Sequence, residues 1–130
     1  MRPLIAVASL LFLAAPGTAA QDHNQDHKEK VPAATPAGDP VDCLRLVDIR
    51  ETKVRDDSTI DFVTRSNKVY RNSLKGACPQ LGFEKRFSYK TSLNQLCSVD
   101  LITVLVSPGL SQGASCGLGK FQPVTLATTR

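Results

Sequence analysis

Histidine is almost missing from this 130-residue chain: the two it has, His23 and His27, fall in a polar stretch close to the amino terminus. Everything beyond them lacks the base that a Ser-His or Cys-His nucleophile pair requires. Ser-x-x-Lys does not occur either. No two of the four cysteines form Cys-x-x-Cys, which argues against a thioredoxin-type dithiol and against the closely paired ligands of zinc sites. "GASCGLGKF" has the outline of a phosphate loop, but Ala114 stands where the first glycine belongs and Phe121 where a hydroxyl would meet magnesium. Long apolar runs are also absent after the amino terminus. A membrane-spanning helix needs about 20 apolar residues, and "DLITVLVS" is strand-length.

What the chain does have begins with Arg2, the apolar run "PLIAVASLLFLAA" and the small residues "PGTAA". That is the layout of a secretory signal peptide over residues 1–20, with cleavage expected after Ala20. Gln21, not a cysteine, stands directly after the cleavage point, so no lipid-attachment site is expected. Residues 21–40, "QDHNQDHKEKVPAATPAGDP", lack hydrophobic periodicity and read as a flexible leader. The folded domain is expected over 41–130. The full chain has 16 basic against 12 acidic residues, a mild excess that favours anionic surfaces.

From Val41 onward the patterning is that of strands. "CLRLVDIR" changes parity midway, which predicts a bulge or two-sided burial. "TIDFVT" and "KVYRN", joined by Arg65-Ser66-Asn67, read as a hairpin. "GFEKRFSY" sets Phe83, Phe87 and Tyr89 at one parity. "DLITVLV" is apolar on both faces apart from Thr103, as in a central, covered strand. "GLGKFQPVTL" carries Pro123 and suits an edge strand. Helical signal is confined to single turns at "SLKGAC" and "TSLNQL". The fold class is therefore mostly β, a small antiparallel barrel or sandwich of about five to seven strands with one or two short helical turns.

Four cysteines, Cys43, Cys78, Cys97 and Cys116, in an exported domain with a thin core point to two stapling disulfides. Sequence alone allows three pairings; the favoured one is Cys43–Cys116 with Cys78–Cys97. Pro79 fits an oxidised Cys78, because proline biases the residue before it toward extended geometry.

Three kinds of site are open. A basic band of Arg65, Lys68, Arg71, Lys75, Lys85, Arg86 and Lys90, interleaved with Tyr70, Phe83, Phe87 and Tyr89, is a candidate anion-binding face. Export argues against nucleic acid and toward an envelope glycan, lipid or acidic protein. Asp48, Glu51, Asp56, Asp57, Asp61, Glu84 and Asp100 could supply the paired carboxylates of a small periplasmic hydrolase, although a domain of this size has little surface for a sugar cleft. A mature terminus Gln21-Asp22-His23 would offer the amine, two amides and the His23 imidazole to Cu(II) or Ni(II), with His27 as a further donor. No resident cofactor is expected.

"CLRLVDIR", "VRDDSTIDF", "VYRNSLKGACPQL", "LCSVDLITV" and "CGLGKF", in this order, resemble a family of small exported bacterial proteins known only as a domain of unknown function. The similarity covers Cys43 to Val124, and Asn-x-Leu-x-x-x-Cys-Pro-x-Leu at Asn72–Leu81 is its most specific element. The resemblance implies an exported small domain with a shared cysteine scaffold and carries no catalytic residues. The sequence thus predicts a non-catalytic binding or structural module.

Overall fold

The computed structural model describes residues 31–128. The expected signal peptide and the His23 and His27 donors lie outside the described residues. Among those described, ten short strands form three antiparallel sheets. The strands are β1 (Ala34–Pro36), β2 (Cys43–Arg45), β3 (Ile49–Val54), β4 (Thr59–Thr64) and β5 (Val69–Ser73), then β6 (Phe87–Tyr89), β7 (Gln95–Cys97), β8 (Leu101–Val106), β9 (Ser111–Gly117) and β10 (Phe121–Leu126). A 3-10 turn at Leu46–Asp48 and one helical turn, α1 (Leu81–Glu84), complete the list of elements. The sheets have the orders β1-β10-β5-β4-β3, β2-β7 and β6-β8-β9. Mostly-β character and the two disulfides agree with the sequence reading. The barrel alternative does not hold, because no sheet closes, and the strands are shorter and more numerous than predicted.

The five-stranded sheet packs one face on the three-stranded sheet. Ile60 and Phe62 of β4 and Phe121 of β10 point inward from the first; Ile102 and Val104 of β8 do so from the second, and all five are fully buried. The Phe62 ring meets Phe121 edge-on at 5.2 Å and Phe87 of β6 at 6.5 Å. These aromatic contacts join the two layers and add to the burial of apolar area that drives the fold. Leu44 and Leu96, paired across β2–β7, extend the same core.

Asn72, Leu74, Cys78 and Leu81, the fixed positions of the Asn-x-Leu-x-x-x-Cys-Pro-x-Leu stretch other than its proline, are all buried. Asn72 Nδ2 donates to the Gly119 carbonyl at 2.7 Å and its Oδ1 accepts the Gly119 N–H at 2.9 Å. A side chain is not tolerated at Gly119: a Cβ there would lie 2.2 Å from the Ser73 carbonyl oxygen. Cys78 to Leu81 form a type II turn, with Pro79 second, Gln80 third at φ 68°, and a Leu81 N–H to Cys78 carbonyl bond of 3.2 Å.

Several local expectations change. The disulfides are Cys43–Cys97, across the β2–β7 pair, and Cys78–Cys116, not Cys43–Cys116 and Cys78–Cys97. The reason is topological: β2 pairs with β7 and not with the last strand, so Cys43 and Cys97 face each other. "CLRLVDIR" changes parity through the 3-10 turn, with a further register shift at Ile49/Glu51. "GFEKRFSY" is not one strand; the turn at Pro79-Gln80 starts α1, and Phe83 is left 85% exposed. "SLKGAC" holds no helix, and "TSLNQL" ends in β7. Strand β10 lies inside its sheet, because β1, drawn from the stretch read as leader, pairs with its outer side. Pro123 is accommodated there because its backbone faces Ala37, just past the end of β1, and only its carbonyl is used, accepting the Ala37 N–H at 2.8 Å.

Candidate functional site

Alternation along β4 and β5 sends Asp61 and Arg71 to the outer face of the five-stranded sheet, directly opposite each other. This face is not a solvated one. Asp61 is fully buried; its Oδ1 accepts Arg71 Nε at 2.8 Å, and its Oδ2 accepts Arg55 Nε at 2.8 Å and Arg71 Nη2 at 3.0 Å. Arg71 Nη1 also donates to the Pro32 carbonyl at 2.8 Å. Burial pushes the Asp61 carboxyl up, but the hydrogen bonds and charges of Arg71 and Arg55 outweigh it and hold the group below its usual 3.8. Arg71 is thus a structural cation.

The other members of the basic band separate. Lys75 donates its backbone N–H to the Gly117 carbonyl at 3.2 Å. Lys85 ends α1 in the left-handed region, φ 54°, with its N–H on the Leu81 carbonyl. The Arg86 guanidinium meets Glu84 and the Ser107 hydroxyl. Lys90 borders a recess on the outer face of the three-stranded sheet. Strand alternation puts Ser88 opposite Phe87, as the sequence implied, but that outer face and the face of Arg71 are on opposite sides of the two packed layers. The band is therefore not one surface.

Arg65 and Lys68 do come together. Arg65 opens the three-residue turn between β4 and β5 and Lys68 follows it; within the turn Asn67, φ 63°, closes a bond from its N–H to the Thr64 carbonyl. Arg45 at the end of β2 faces them across a recess of about 360 Å³ that also takes in Asp48, Ser66 and Tyr70. Arg65 Nε donates to the Val47 carbonyl at 2.6 Å, which orients the guanidinium and leaves its terminal nitrogens as donors. Lys68 Nζ lies 5.6 Å from the centre of the Tyr70 ring. Asp48, the one acid among the lining residues, is 3.6 Å from Arg45 Nε. Three cations against one carboxylate give a locally positive recess. Arg45 was missed by sequence reasoning, because it lies twenty residues upstream of the band and only the 3-10 turn brings it alongside.

The acids proposed for hydrolysis are all occupied. Besides Asp61, Glu51 pairs with Arg50 and Lys53, and Glu84 with Arg86 and Ser107. Asp56, Asp57 and Asp100 each accept a backbone N–H, from Ser58, Gly82 and Cys97. Among the described residues no group of three or more His, Cys, Asp or Glu could hold a metal ion, and no helix is long and apolar enough to cross a membrane.

Fold and surface together define a disulfide-bonded, antiparallel β protein with a cationic recess on its surface. The chain belongs to a family of unknown function, DUF6491, whose model matches residues 1–129. No curated protein and no solved structure matches it.

Proposed function

We propose that this protein is an exported, non-catalytic binding module that engages an anionic component of the cell envelope. The observation that carries the reading is the convergence of Arg45, Arg65 and Lys68 on one recess with Asp48 as its single acid. Guanidinium groups at the mouth suit phosphate or carboxylate geometry, and the Tyr70 ring offers an apolar wall. Two disulfides and the signal-like amino terminus support an oxidising, extracytoplasmic location. Prior engagement of every carboxylate from Asp42 to Asp100 supports binding over hydrolysis.

Cosedimentation with phosphatidylglycerol vesicles and retention on a sulfated-glycan column test the reading. The expected result is retention that weakens with salt, as exposed charge pairs do, and that is lost when Arg45, Arg65 and Lys68 are all changed to Glu. A second variant reversing Lys75 and Lys90 is expected to keep it. Equal loss in both variants, or retention in the first, refutes the recess as the site.

A further inference from the structure

Leu101, which opens the middle strand β8 of the three-stranded sheet, is 57% exposed, and Val99, two residues before it, 80%. The sequence predicts that "DLITVLV" is covered on both faces; only the face of Ile102 and Val104 is. Across the open face Ser88 pairs with Thr103, and Thr103 with Ser115. Three hydroxyl residues therefore lie in one row over three adjacent strands, at the usual interstrand spacing of about 4.8 Å, with Thr103 Oγ1 and Ser115 Oγ 2.8 Å apart. Gln112 adds an amide beside the row, and Tyr89, Lys90, Val99 and Leu101 border it, around a recess of about 390 Å³. Lys90 and Asp100 are its only charged lining residues, and they balance.

We propose that this recess binds a neutral polyhydroxylated ligand, a segment of glycan. Ser88, Thr103, Ser115 and Gln112 supply hydrogen bonds to sugar hydroxyl or acetamido groups, and Leu101 with Val99 covers the apolar C–H face of a ring. A sugar presents both surfaces at once, and the row of hydroxyls flanked by uncovered apolar side chains complements both. An extended peptide fits less well: it would add to the free edge of β9, which is irregular opposite Thr103–Leu105 and whose Gly117 carbonyl already accepts the Lys75 N–H. A second copy of the chain would cover Leu101 but would also strip water from the hydroxyl row at the centre of the contact. The site shares no lining residue with the cationic recess and stands independently of it.

The test is titration of ¹⁵N-labelled protein with the N-acetylglucosamine trisaccharide and with maltotriose, followed by NMR. Saturable amide shifts at Ser88, Lys90, Leu101, Thr103, Gln112 and Ser115 with either sugar, and none at Arg65 or Lys68, are expected. Thr103→Val keeps the shape, removes one hydroxyl and is expected to weaken affinity about three- to tenfold; Ser115→Ala is the second variant and has the same expectation. Absence of shifts with both sugars at millimolar concentration overturns the proposal. So do shifts scattered over the surface, undiminished affinity in both variants, or concentration-dependent shifts of these amides without sugar, which mark a contact between copies.

Discussion

The five-stranded sheet and the two smaller sheets are held in different ways. The large sheet contains no cysteine; its strength comes from five hydrogen-bonded strands, Phe62 and Phe121 beneath, and the Arg55–Asp61–Arg71 cluster on its back. The β2–β7 pair has three residues per strand and carries Cys43–Cys97, while Cys78–Cys116 ties the loop after β5 to the edge strand β9. Isolated two-stranded pairs are marginal in water. The crosslinks therefore sit where hydrogen bonding and burial are least able to hold the chain, and the charge cluster sits where a broad sheet can enclose it.

The most forceful way to break this contrast is to remove a crosslink. Replacing Cys43 and Cys97 by Ala is expected to cost about 4 kcal/mol by the loop-entropy relation, read as a lower urea midpoint. Hydrogen exchange should show β2–β7 losing protection while β4 and β5 keep theirs; equal loss in both regions breaks the comparison. Asp61→Asn comes next. It leaves two guanidinium groups without their carboxylate and is expected to cost about 3 kcal/mol, near the low end for a broken buried pair. The arginines keep 16% and 15% side-chain exposure, so water relieves part of the loss.

Acid sharpens the same point. The Asp61 carboxyl lies below its usual 3.8 in the folded chain, so its contribution is present above that value and is lost as pH falls below 3.8 through the folded value. Denaturation midpoints measured down this range should drop for the native protein, and the Asp61→Asn variant should show a shallower fall. Thr103→Val, on the open face, is the smallest change and is expected to stay within about 0.5 kcal/mol of the native protein; a cost as large as that of Asp61→Asn would mean the two faces are alike.

Much of the fold was legible because its signals are local. Arg65-Ser66-Asn67 between two alternating runs specifies the β4–β5 hairpin, and Phe87 packs on the core as its parity requires, while Tyr89 stays exposed at the end of β6. What was not legible depends on partners distant in sequence. Asp61 within "TIDFVT" looks like an ordinary solvated position on a half-buried strand; only the register that lays Arg71 beside it, and the chain reversal that returns Arg55, turn it into a buried anion. Cysteine pairing failed for the same reason, because it follows which strands become neighbours. Two of the three cations of the candidate anion site, Arg65 and Lys68, were visible, and Arg45 was not, since a 3-10 turn and not a sequence spacing delivers it.

The pairing of Cys43 with Cys97 and Cys78 with Cys116 is interleaved along the chain. Nested bridges would let two backbone cuts, one on each side of the inner pair, release the middle of the domain as a free piece. Interleaved bridges do not: a fragment bearing Cys78 and Cys97 stays fastened to Cys116 on one side and Cys43 on the other. In surroundings rich in proteases, a molecule cut once between Cys43 and Cys78 and once between Cys97 and Cys116 therefore remains one covalent object for as long as it stays oxidised.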